Sequence, residues 1–189
     1  MTDATAYPDL ARATFRSCDG ISRSFDKLHE AMFRTGQNRL HNTPVDAARR
    51  VALFLRDIGN PFPITDLGSG TGGLLVFLAC CFPDQDFTGV EIDEHLFRHA
   101  NDRKQQLALA NLAFAQGDMF ALPVTPGMTY IMINPLDRAL TKKLAHRILS
   151  TDNTAIITAS RATQYLWDTS ATAKFCDNSY INLTCWTGT

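Results

Sequence analysis

Between residues 9 and 34, apolar side chains recur at helical spacing, among them Leu10, Ala13, Phe25, Leu28, Ala31 and Phe33, with Gly20 as a break. This predicts two short helices. Thr43 followed by Pro44 reads as an N-cap with proline at the first helical position, where its missing N–H costs no hydrogen bond. Val45, Ala48, Val51, Ala52 and Leu55 form the apolar stripe of that third helix, and Gly59-Asn60-Pro61 ends it. From residue 62 the pattern changes to short apolar runs alternating with helical segments, as in a parallel α/β sheet. Strands are expected over 62–67, 87–91, 112–116, 129–134 and 154–159, with helices over 73–81, 94–110 and 138–149. A short segment follows at 164–167. Two β-leaning stretches, 171–176 and 180–186, then flank Asp177-Asn178-Ser179, which is turn chemistry and predicts a closing antiparallel hairpin.

Composition narrows the picture without selecting a partner. A chain of 189 residues with 45% hydrophobic content can bury one sizeable core. The expected organisation is therefore a helical N-terminal appendage, residues 1–43, on one α/β domain, residues 44–189. The formal net charge is -1 and the pI about 6.5, so no overall field draws the chain to nucleic acid or anionic membrane. Residues 1–60 hold nine Lys and Arg against seven acids, a slight basic lean read as solvated helix surface. Cys18, Cys80, Cys81, Cys176 and Cys185 form no Cys-x-x-Cys pair, and reduced thiols are expected. With neither a signal-like start nor a long apolar run, a cytoplasmic location is expected and no membrane partner. No metal site is expected.

The chemistry concentrates in Ile64-Thr65-Asp66-Leu67-Gly68-Ser69-Gly70-Thr71-Gly72-Gly73, a strand entering a glycine-rich turn and then a helix. Glycine serves where the backbone takes positive φ or a ligand lies against the main chain, and this is where doubly wound sheets bind nucleotide-like ligands. Glu91 falls about 20 residues later, at the end of the second strand, within reach of a ribose diol. Gly68, Gly70 and Gly73 also satisfy the dinucleotide pattern, so a nicotinamide oxidoreductase is the competing reading. Asp66 separates the two. A carboxylate at the mouth of the turn opposes a pyrophosphate, whereas a ligand carrying an ammonium and a sulfonium suits it. A nucleotide-binding module without catalytic activity is the third reading.

The run from Asp66 to Gly72 resembles motif I of the class I S-adenosylmethionine-dependent methyltransferases. Gly89-Val90-Glu91-Ile92-Asp93 resembles their second, acidic motif, and Gln116-Gly117-Asp118-Met119 the segment bordering the adenine. The resemblance runs from about residue 62 to the C-terminus. It implies a Rossmann-like, mostly parallel seven-stranded sheet in the order 3-2-1-4-5-7-6, with S-adenosylmethionine as cofactor. It further implies that Gly68 and Gly70 line the methionine portion, with Asp66, Ser69 and Gly72 in the same turn. Glu91 would hold the ribose hydroxyls, Asp118 the adenine amino group, and Ile92 and Met119 the two faces of the purine.

On the acceptor side, Ile133-Asn134-Pro135-Leu136-Asp137 partly resembles the Asn-Pro-Pro-aromatic motif of amino-group methyltransferases. That resemblance makes Asn134, Pro135 and Asp137 the candidate catalytic residues, with Asn134 also facing the cofactor. Leu136 replaces the second proline and Asp137 the aromatic ring, which removes the surface on which a flipped base would stack. Similar endings occur near the Dot1-like lysine methyltransferases. An amine on a protein lysine or a small molecule is therefore the expected acceptor, with a nucleic-acid amino group as the alternative. Arg39 to Pro44 resembles the approach segment of lysine and adenine methyltransferases, so Thr43 joins the candidate cofactor contacts and His41 is the histidine with a positional argument. His95, His99 and His146 are expected in solvent, and His29 shows no chemical role.

Overall fold

The computed structural model describes residues 4–17, 21–35, 43–133, 136–159, 161–167, 172–177 and 183–187. After a 3-10 turn at Ala4–Ala6 come α1 (Tyr7–Arg16), α2 (Arg23–Phe33) and α3 (Val45–Ile58), then β1 (Ile64–Leu67), α4 (Gly73–Cys81), β2 (Phe87–Glu91), α5 (Glu94–Gln106), β3 (Leu112–Gln116), β4 (Thr129–Met132), α6 (Arg138–Leu149), β5 (Ala155–Thr158), α7 (Arg161–Trp167), β6 (Thr172–Asp177) and β7 (Leu183–Thr187). The strands form one seven-stranded sheet ordered β3-β2-β1-β4-β5-β7-β6. Strands β1 to β5 pair in parallel, and β7 runs antiparallel to β5 and β6. This is the order that the resemblance implies.

Alternation along the strands sends successive side chains to opposite layers. Ile64, Ile131, Ile157 and Cys185 join α1 to α4 in one buried cluster. Leu67, Tyr130, Met132, Ile156 and Trp186 join α6 and α7 in another. Helix α4 is buried along eight of its nine residues because it lies between the sheet and the N-terminal helices, which accounts for its lack of a polar face. Tyr7, Phe25 and Phe33 are fully buried in that same cluster, so the N-terminal helices share the core of the sheet.

Among the boundaries where local expectations and structure differ, two have a local physical reason. Pro44, not Thr43, is the N-cap of α3, and no side chain among the described residues caps that end. The Thr43 carbonyl instead meets the ring of buried His29, which fixes the chain before the helix. Helix α5 stops at Gln106 instead of continuing to residue 110, because Ala108 turns into positive φ and Asn111 anchors the start of β3. The Asn111 Nδ2 donates to the carbonyls of Ala79, Phe82 and Gln85 at 3.0 to 3.2 Å, a tie that a continuing helix would break. Strand β4 ends at Met132, short of the expected residue 134.

Candidate functional site

The carboxyl end of β1 leads into the glycine turn. Gly68, Gly70 and Gly72 all take positive φ, at 82°, 56° and 79°, a region where Cβ-bearing residues are strained. The amides of Gly68 and Ser69 donate to the Val90 carbonyl at 2.9 and 3.0 Å, stitching the turn to β2. Gly72 is the N-cap of α4 and no side chain among the described residues caps that helix, so the positive end of α4 opens toward the turn.

Glu91 closes the other wall. Its carboxylate, 9% exposed, accepts the Gly70 amide at 2.8 Å and the Asp93 amide at 2.9 Å. A carboxylate has about four lone-pair directions, which leaves acceptor capacity for a diol. Asp66 lies behind the turn, 5% exposed. Burial and the neighbouring Glu91 charge raise its acid from the ordinary carboxylate range to about 7. The pocket wall thus holds the Glu91 carboxylate and, beside it, an acid poised to ionise when a cation arrives. The Ser69 hydroxyl is buried with no partner among the described residues.

Residues that follow β3 and β2 complete the rim. The Met119 methyl lies 3.5 Å from where a Gly68 side chain would begin. Asp118 is exposed, its Oδ1 accepting the Phe120 amide at 2.8 Å, and Ile92 is 64% exposed, an apolar side chain left open beside Glu91. Asp66, Gly68, Ser69, Gly70, Gly72 and Glu91 are therefore assembled around one turn, with Met119 over it. Thr43 has no hydrogen bond to the turn among the described residues. Asp137 is the N-cap of α6, its Oδ1 accepting the Leu140 amide at 2.9 Å. Asn134, Pro135 and His41 lie outside the described residues.

An orphaned hydroxyl, an uncapped helix start, a lone-pair-bearing carboxylate and an exposed apolar side chain together form a cradle for a polar head joined to a nucleoside. The donor set suits S-adenosylmethionine: the α4 amides and Ser69 for its carboxylate, Asp66 for its cationic groups, and Glu91 for a ribose diol.

Several participating residues carry no sequence motif. Arg147, on α6, donates through Nη2 to the Met119 carbonyl at 2.9 Å and through Nη1 to the Phe120 carbonyl. It thereby clamps residues 117–128, a crossover from β3 to β4 that contains no helix. Beneath this crossover is a cleft of about 170 Å³ lined by Thr65, Leu67, Val90, Met119 and Tyr130. His29 is not idle: its Nδ1 accepts the Tyr7 hydroxyl at 2.6 Å and its Nε2–H donates to the Thr43 carbonyl at 2.9 Å. Burial lowers its acid to about 4, which fixes it as the neutral ring. His99 is half-buried, not solvated. Burial and Arg103 lower its pKa, opposed by a backbone hydrogen bond with Thr71 inside the glycine turn.

Comparison with known proteins gives a coherent pattern. The family profile described as "Methyltransferase domain" matches residues 62–188. A 68-residue stretch is 35% identical to the tRNA (guanine-N(7)-)-methyltransferase of Microcystis aeruginosa, covering 36% of this chain and 32% of that protein. A 70-residue stretch is 31% identical to the release factor glutamine methyltransferase of Vibrio cholerae, covering 37% of this chain and 24% of that one. The chain thus aligns with about a third or less of these relatives. Among solved structures, magnesium protoporphyrin IX methyltransferase of Synechocystis with bound S-adenosylmethionine superposes with a TM-score of 0.61 at 16% identity, over 95% of both chains. An RNA methyltransferase of Salinibacter ruber in complex with S-adenosylhomocysteine gives 0.58 at 20% identity, over 77% of this chain and 92% of that one.

Proposed function

The chain belongs to the methyltransferase-domain family, and from that premise we propose that it transfers the methyl group of S-adenosylmethionine to a nitrogen atom of its acceptor. The observation that carries this reading is the parallel pairing of β1 with β4. It sends the chain after each strand out of the same edge of the sheet, the glycine turn from one and the segment that begins at Ile133 from the other. A donor held at the turn and an acceptor held by the β4 segment then meet at the switch point of the sheet.

The cofactor supplies a methyl carbon on a sulfonium. The chain supplies alignment, which in favourable intramolecular cases is worth about 7 to 11 kcal/mol. Glu91 would hold the ribose, Ile92 and Met119 would border the purine, and Asp118 would offer its remaining oxygen to the adenine amino group. Asn134 and the Pro135 carbonyl accept the acceptor's N–H groups, aiming its lone pair at the methyl. When bound, the cofactor would supply the electrophilic carbon, and the residues after β4 would hold the acceptor nitrogen in line with it. The proton lost from nitrogen passes to water beside the exposed Asp137.

The amide of Asn134 acts mainly in the transition state. Asn134→Ala is therefore expected to keep S-adenosylmethionine affinity by calorimetry while lowering turnover of labelled methyl by about a hundredfold or more. Full turnover per folded molecule on a genuine acceptor overturns the nitrogen-orienting role.

A further inference from the structure

Helix α6 begins five residues after β4 and runs back along the sheet from the edge where the site lies. Its sequence, Arg138-Ala139-Leu140-Thr141-Lys142-Lys143-Leu144-Ala145-His146-Arg147-Ile148-Leu149, contains four permanent cations and no acid, in a chain whose net charge is -1. Thr141, Leu144, Ala145 and Ile148 are buried. At 100° per residue, Lys142, His146 and Lys143 fall on the opposite side, with Arg138 beside them at the end nearest the site. Arg138, Lys143 and His146 are exposed and Lys142 is partly so.

Five arginines elsewhere on the surface, Arg12, Arg34, Arg50, Arg56 and Arg98, each pair with a nearby acid. Neither Lys142 nor Lys143 has an ion pair among the described residues. The flanking acids are Asp137, one oxygen of which caps the helix, and Asp152, beyond its end. The permanent cations on this face run over about 7.5 Å, from Arg138 to Lys143 at ~1.5 Å per residue. That is the length over which a polyanion presents several charges.

We propose that the outer face of α6 is an RNA-backbone surface, on which phosphates follow Arg138, Lys142, Lys143 and His146 while a base carrying the target nitrogen reaches the edge of the sheet at β4. This rests on the nitrogen-transfer reading above and names its substrate class. A lipid surface fits less well, because the apolar stripe of α6 is already buried in the core and Leu140, 38% exposed, is the helix's remaining open large apolar side chain. Leu140 sits in the first turn of α6, next to Asp137. It offers apolar contact near the position where the sequence lacks an aromatic ring. Specificity on such a surface comes from contacts to the base, and affinity from the phosphates.

The test uses the full chain, fluorescein-labelled unmodified tRNA transcript, and anisotropy over a salt series. Two to three neutralised phosphates predict a slope of log K against log salt of about −2, taking ~0.7 per phosphate for a single strand. Lys142→Glu with Lys143→Glu is expected to lower RNA affinity at least tenfold and flatten that slope. S-adenosylmethionine affinity, followed by calorimetry, should stay unchanged, and Arg at both positions should restore RNA binding. Arg23→Glu with Lys27→Glu, on the exposed side of α2, changes net charge equally and is expected to have a smaller effect. Equal losses in both pairs, or no RNA binding by a protein that binds cofactor, overturn the RNA surface and leave the nitrogen-transfer reading standing. Failure to bind cofactor sinks that underlying reading instead. Sedimentation with phosphatidylserine vesicles without RNA binding, or equal competition by polyglutamate of matched charge, would assign the face to a different polyanion and overturn the proposal.

Discussion

Replacing Asp66 by Asn separates the stability of the empty protein from its grip on the cofactor. In an unfolded chain an aspartate ionises near ~3.9, while burial and Glu91 raise Asp66 to about 7. At ~1.36 kcal/mol per pH decade, ionising the folded carboxyl costs up to roughly 4 kcal/mol. The sign follows from proton counting: between about pH 4 and 7 the folded chain holds a proton that the unfolded chain has lost. Stability contributed by Asp66 is thus fully present below pH 4 and is lost as pH rises through 7.

Asp66→Asn removes that loss, so at pH 8 the cofactor-free variant should be more stable than the parent, by a Tm gain of several degrees. Binding should move the other way, because the cationic cofactor favours the ionised acid. Parent affinity should rise by about tenfold per pH unit up to pH 7 and level off above it, with close to one proton released on binding at pH 6. In the variant the affinity should be weaker at pH 8 and flat with pH. Calorimetry in two buffers of different ionisation enthalpy measures both affinity and proton release. A parent affinity flat from pH 5.5 to 8, or a slope retained in the Asn variant, refutes the assignment of the cation's partner.

His29 contributes with the opposite sign, since burial lowers it to about 4. Acidification from pH 6.5 to 4 should destabilise the fold by up to ~3 kcal/mol, and the urea midpoint of His29→Gln should lose that component. An imidazole that titrates near 6.5 by NMR would contradict the buried relay from Tyr7 to Thr43. Arg147→Met removes two charge-assisted hydrogen bonds to the crossover, each worth roughly 1.5–3 kcal/mol. It should speed amide exchange over residues 117–128 and weaken S-adenosylmethionine about tenfold by loosening Asp118 and Met119, and unchanged exchange would remove Arg147 from the site.

The alternation of short apolar runs with helical stripes specifies the class of fold, because period and turn chemistry are properties of neighbouring residues. The glycines at 68, 70 and 72 and the acid at Glu91 are legible for the same reason: a turn requiring positive φ restricts which residues can occupy it. The sequence alone therefore determined the parallel core, the place of the turn and the family resemblance. What it left open depends on groups far apart in the chain. Gly89 is required less by its own strand than by the Phe114 ring and the Ser69 hydroxyl, which lies 2.7 Å from where a Cβ would stand. The Thr43 cap gave way because His29, 14 residues earlier, takes its carbonyl. Arg147 reads as one more cation on a basic helix until the fold brings the Met119 carbonyl to it, 28 residues away. Asp66 is legible as a carboxylate at the turn, but its poise near neutrality arises only when the tertiary structure removes water from it and packs β2 alongside, because desolvation and charge proximity are properties of the folded chain.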